Sequence, residues 1–202
     1  MKVSRTEFVD AYDMRLCVRH WGDESAPKLF MIHGWMDISA SFQFVVDAFK
    51  RDWHVIAPDM RGFGHSGWAK GGYWFPDYLA DLEALLDHYS PNEPVRLIGH
   101  SLGGNITSVY SGIRPSRVAQ LVSLEGYGIV ENRPDMAPGR LERWLDSRKK
   151  PERLRPYPDK EAVIARLQKN NPRLTYERAF FLADYWTEVN DKGERIVMAD
   201  PR

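Results

Sequence analysis

An α/β fold built on a mostly parallel sheet is predicted by three observations on this 202-residue chain. Short apolar runs alternate with amphipathic helical patterns from the N-terminus to about residue 126. Several of those runs are apolar throughout, as strands buried on both faces are. Their order, strand then helix then strand, is that of successive βαβ units.

The elements follow in chain order. Residues Arg15–Trp21 alternate polar and apolar, the pattern of a half-buried strand. Residues Lys28–His33 and Trp53–Ala57 are compact apolar runs bounded by Pro and Gly, and read as buried strands. Val95–Ile98 and Val118–Leu124 read the same way. Between them, Phe42, Val45, Val46 and Phe49 recur at helical spacing. A longer stripe of Phe75, Tyr78, Leu79, Leu82, Leu85, Leu86 and Tyr89 leaves Asp77, Asp81, Glu83 and Asp87 off the apolar face. A third helix is expected from about Ser101 to Ile113, stopping before Arg114-Pro115.

After Gly126 the pattern turns helical, over about 138–148, 159–169 and 175–189, with Asp159 and Thr175 placed as N-caps. Arg195–Met198 reads as a short strand, and Met198–Arg202 as a tail that stops without returning to the sheet. The expected organisation is a sheet-bearing core over residues 1–126 and a helical cap over 127–202.

Composition narrows the class. Twenty-eight basic and 28 acidic side chains cancel, so no basic excess exists to neutralise nucleic-acid phosphates. A 43% apolar fraction is incompatible with a disordered chain. No segment resembles a leader or a membrane span, and the single cysteine, Cys17, cannot close an internal disulfide; a cytoplasmic location is expected. Cys17 near His20 could in principle form a thiol–imidazole pair, but a strand residue is the simpler reading.

Three motifs carry chemistry. Gly99-His100-Ser101-Leu102-Gly103 follows an apolar strand and opens a helical pattern. A tight strand–turn–helix with small residues around a serine lifts its hydroxyl clear of the sheet edge. It also aims the Leu102 amide at a developing oxyanion, at the positive end of the new helix. His33-Gly34-Trp35 follows another strand and offers the Trp35 amide as a second oxyanion donor. The segment Asp59–Gly67 contains Gly62-x-Gly64-x-x-Gly67, which mimics a dinucleotide fingerprint. That fingerprint needs a helix to open at once, whereas the turn-rich Trp68–Trp74 intervenes.

In this order the three motifs resemble those of the α/β-hydrolase superfamily, in its esterase, epoxide-hydrolase and haloalkane-dehalogenase branch. The resemblance spans about residues 5–126. It implies an α/β-hydrolase sandwich with a helical cap, a small-molecule ester-like substrate, and neither metal nor organic cofactor. Ser101 stands where the epoxide hydrolases and dehalogenases carry aspartate, which points to acyl transfer of the carboxylesterase kind. Glu125, at the end of the strand after the nucleophile helix, resembles the acid of part of the superfamily; it equally fits a carboxylate bonding the loop amides near Gly126 and Gly128.

The resemblance also exposes a gap. The superfamily order is Ser, acid, His, yet all six histidines (His20, His33, His54, His65, His88 and His100) precede Ser101. Without a base a serine hydroxyl is a weak nucleophile. Two explanations are open: a chain lacking the last strands with their acid and His, which the abrupt tail favours, or a non-catalytic relative using the fold for binding. A C–C hydrolase or cofactor-free peroxidase on the same framework is not separable at this stage. Trp35, His100, Tyr127, Trp144, Phe181 and Trp186 are the expected substrate-pocket residues; the basic run Arg148–Lys150 with Arg153 and Arg155 reads as a solvated helix end. Oligomeric state is not legible.

Overall fold

A computed structural model of the chain describes residues 1–128, 133–149 and 154–201. Lys150 and Arg153 of the basic run lie outside them.

Six strands form one sheet in the order β1-β2-β4-β3-β5-β6: β1 Ser4–Ala11, β2 Met14–Trp21, β3 Lys28–Ile32, β4 His54–Pro58, β5 Val95–His100 and β6 Val118–Leu124. The first two form an antiparallel hairpin, β2 meets β4 antiparallel, and β4, β3, β5 and β6 run parallel. The five strands read from sequence are all present. β1 is the addition: most of its side chains face solvent, and the turn into β2 uses Tyr12 at φ 52° rather than a glycine. Neither an apolar run nor a glycine turn therefore marks it. β6 is the far edge, with Val122 and Leu124 exposed.

The predicted helices are α1 Gln43–Ala48, α2 Phe75–Tyr89, α3 Leu102–Ile113, α4 Ala137–Lys149, α5 Lys160–Asn170 and α6 Tyr176–Trp186. The α2 stripe buries Tyr78, Leu82, Leu85 and Leu86 against Leu16, Phe30, Ile56 and Leu97 from the sheet. On the other sheet face, Trp21, Met31 and Val55 pack with Phe42 and Val46 of the α1 region. Both N-caps of the helical half form: the side chains of Asp159 and Thr175 accept from the amides of Ala162 and Arg178. α5 and α6 pair through Val163, Ile164, Ala179 and Ala183.

One expectation needs correction. The helix drawn to residue 189 ends at Trp186, because the β-branched Thr187 and Val189 form strand β7, Thr187–Val189, paired antiparallel with β8, Arg195–Val197. The tail adds no strand to the six-stranded sheet, as expected, but it is docked on the loop after β4. The Gly64 amide donates to Met198 O at 2.7 Å and the Asp200 amide to Gly62 O at 2.8 Å, while Met198, Ala199 and Asp200 are buried. The helical half thus hands the chain back to the loop after β4. The driving contact is between segments more than 130 residues apart, which no local pattern reveals. Among the described residues no helix is long and apolar enough to cross a membrane.

Candidate active site

The carboxyl ends of β3, β4 and β5 bring the three motifs together. Ser101 sits between β5 and α3 with φ 52° and ψ −113°, a conformation that costs a non-glycine residue energy and is held only where surroundings over-determine it. Those surroundings are visible. The Ser101 amide donates to Leu124 O of β6 at 2.8 Å, and its carbonyl accepts from the Asn105 amide at 3.0 Å.

The flanking glycines are required by close approach. A Cβ on Gly99 would lie 2.3 Å from Gly103 O, and one on Gly103 would lie 2.1 Å from Ile32 O and 2.7 Å from His33 O. The start of α3 is therefore pressed against the end of β3, which is how the elbow meets the His33–Trp35 loop. Gly103→Ala has only backbone to push against, so it should destabilise the protein by about 1–3 kcal/mol. A urea midpoint equal to that of the wild type would contradict this packing.

Gly34 lies on the other side of the serine: a Cβ there would come within 3.2 Å of Ser101 Cβ and 3.1 Å of His100 Nδ1. The loop is held by His33, which is fully buried. Its Nδ1–H donates to Gly34 O and its Nε2 accepts from the Met60 amide, both at 2.8 Å. Both ring nitrogens are thus engaged in positioning the loop. Trp186 adds a further tie, its indole N–H donating to Met36 O at 2.8 Å. Met36 has φ 58°, so the loop is tightly turned where α6 grips it.

The third motif is a brace. Asp59 accepts from the amides of Ser39 and His65, at 2.8 and 3.0 Å, and Gly64 must be glycine because a Cβ would fall 2.2 Å from Asp59 Oδ2. Ser66 accepts from the Cys17 amide and donates to Asp59 O. Arg61 is buried against α2, its Nε 2.6 Å from Asp81 Oδ2 and a terminal nitrogen 2.7 Å from Oδ1. Cys17 itself is buried, and burial together with the Asp59 carboxylate pushes its thiol up to about 12, so it is no thiolate nucleophile.

Two cavities meet at Trp35. One, of about 390 Å³, is lined by Ser101, Gly34, His100, Leu167, Leu182 and Trp186, and lies under α5 and α6. The second, of about 580 Å³, is lined by Leu102, Tyr73, Phe75, Tyr78, Trp144 and Pro201. Trp35 lines both.

A model of the alpha/beta hydrolase fold family matches residues 27–190, most of the chain. The chain belongs to the α/β-hydrolase fold family. Its structure superposes on the thioesterase domain from a curacin biosynthetic pathway with a TM-score of 0.88 at 24% identity, covering 98% of this chain and 70% of that one. An E-2-(acetamidomethylene)succinate hydrolase superposes with a TM-score of 0.76 at 25% identity, with 98% and 70% covered. Among curated relatives, a serine hydrolase-like protein of Danio rerio is 33% identical over 112 residues, 54% of this chain and 34% of its own length. A 3-hydroxybutyrate-oligomer hydrolase of Cupriavidus necator is 28% identical over 179 residues, 87% of this chain and 56% of its own length. The chain therefore spans about a third of the first of these relatives and somewhat over half of the second.

Within this α/β-hydrolase framework, Ser101, Leu102, Trp35, His100, Trp144 and Trp186 converge on the two cavities. Tyr127 instead points to solvent, 90% exposed, and Phe181 packs on Phe44 and Tyr185 at ring distances of 5.4 and 4.7 Å. Glu125 adopts φ 56° just after β6, with its carboxylate 3.8 Å from His100 Nε2 at an exposed edge. Among the described residues no histidine nitrogen hydrogen-bonds the Ser101 hydroxyl, and no set of three or more His, Cys, Asp or Glu side chains is grouped to hold a metal. Sequence reasoning missed Met36, the carbonyl that ties Trp186 to the loop after β3, because a backbone acceptor carries no sequence signal.

Proposed function

We propose that the protein is a serine hydrolase of carboxylesterase type, in which Ser101 attacks a substrate carbonyl and is transiently acylated. The observation that carries this reading is the strained backbone of Ser101, held between Gly34, Gly99 and Gly103 at the carboxyl edge of the sheet. As the tetrahedral oxygen develops charge, the amides of Leu102 and Trp35 stabilise it; such donors each contribute roughly 10²–10³ in rate. The serine proton needs an acceptor, and His33 is unavailable because both its nitrogens are bonded. Glu125 then serves as a charge beside His100 or as the triad acid. Residues 127–202 act as the cap, closing the nucleophile cavity through Leu167, Leu182 and Trp186. The names of the serine hydrolase-like and 3-hydroxybutyrate-oligomer hydrolase relatives support the hydrolase part of this reading.

A fluorophosphonate probe applied to the protein expressed from its complete natural reading frame should label Ser101. Labelling that persists in Ser101→Ala, or none in the wild type, refutes the assignment. The 202-residue chain alone should turn over activated esters well below the ~10 s⁻¹ typical of enzymes, since no histidine follows the nucleophile. Ordinary turnover by that chain would show that a residue such as His100 acts as base.

A further inference from the structure

Four of the seven tryptophans are more than half exposed: Trp35 at 56%, Trp68 at 51%, Trp74 at 69% and Trp144 at 56%. Indole rings are seldom left in water without a use, and all four fall on one path. Trp35 joins the Ser101 cavity to the second cavity, and Trp144, Tyr73 and Gly72 join the second to a third of about 700 Å³ lined by Trp68 and Trp74. The lining of the third also includes the charged side chains of Asp13, Arg61, Lys70 and Asp77.

We propose that this tryptophan-lined groove is an extended substrate subsite that takes a long, flexible alkyl arm of the ester, leading it from Ser101 past Trp35 and Trp144 to Trp68 and Trp74. The proposal rests on the reading of Ser101 as nucleophile. A short ester fits the 390 Å³ cavity alone, and the two neighbouring cavities, which adjoin through the shared linings of Trp35 and of Tyr73 and Trp144, add room that suits a chain-like ligand. Flat aromatic walls fit such a ligand because they offer large apolar contact with few torsions to freeze. Exposed aromatics also mark protein-binding surfaces, but continuity with the nucleophile favours a ligand that reaches the serine.

The test is binding by Ser101→Ala protein, from the complete natural reading frame, which cannot consume its ligand. Methyl butanoate, octanoate and decanoate, and the matching alkyl acetates, are titrated by calorimetry and tryptophan fluorescence. Each buried methylene is worth on the order of a fourfold gain, so the C4-to-C8 step should tighten binding at least ~30-fold in one of the two series. Trp144→Ala and Trp74→Ala, added to that background, should cut this chain-length ratio at least fivefold, whereas Trp144→Phe should restore most of it. No chain-length gain in either series, or a ratio unchanged by both alanine variants, overturns the groove. A gain in binding with no fluorophosphonate labelling of the wild type would instead sink the proposed chemistry and leave the groove standing.

Discussion

Asp81→Ala should lower the stability of this protein by about 3–5 kcal/mol, a large part of what an ordinary domain possesses. Arg61 is buried, and its fork is matched by both oxygens of a fully buried Asp81 on α2. Deleting the carboxylate strands a guanidinium out of water, with only Asp77 and Asp13 near it, each at 3.5 Å. The penalty comes from the orphaned charge more than from the attraction lost. Hence Arg61→Met with Asp81→Leu should recover most of the deficit. Denaturant unfolding reads both: the midpoint should drop sharply in the single variant at constant slope and return in the double. A single-variant loss below ~1 kcal/mol would mean the pair does not brace the motif loop against α2.

Acid should weaken the fold through a histidine pair at the opposite end of the sheet from Ser101. His20 Nδ1 lies 3.0 Å from His54 Nε2, and His20 Nε2 lies 3.0 Å from Glu7 Oε1, which Tyr89 also bonds. If His20 donates to Glu7, its other nitrogen accepts from His54, leaving His54 Nδ1 a buried lone pair without a donor. Protonating His54 would place an unmatched N–H there. Burial, and then the Arg5 charge, lower His20 to about 4 and lower His54 as well; Glu7 opposes the shift at His20, and Glu24 and Glu7 oppose it at His54. Both groups therefore bind a proton less readily in the folded state than in the unfolded one. The His20 contribution is complete above about pH 6.5 and is lost as the pH falls toward 4, by about 3 kcal/mol, and His54 acts in the same direction. A stability profile between pH 7 and 4 should fall in the wild type and flatten in His20→Gln; equal slopes would overturn the assignment.

How much of this was legible beforehand varies by element. The α2 stripe, the β3 and β5 runs and both N-caps are local patterns, and each appears where its residues place it. The elbow was legible because Gly99 and Gly103 are small for a reason the strand–turn–helix context already implied. β1 was hidden by its exposed faces, β7 by its position at the end of a helical pattern, and the docking of Met198–Asp200 by its distance in sequence. Tyr127 and Phe181 were expected in the pocket on aromatic character alone, which cannot say which way a ring points.

By itself, then, the amino-acid order determined the α/β class, the strand–turn–helix at Ser101 and the order of the three motifs, because each depends on residues within a few positions of one another. Only the tertiary structure decided that His33 is spent on loop geometry, that Arg61 and Asp81 share one buried contact, and that Trp35 stands between two cavities. Those outcomes depend on which distant side chains are brought to the same few cubic ångströms, and burial there sets both their charge and their cost.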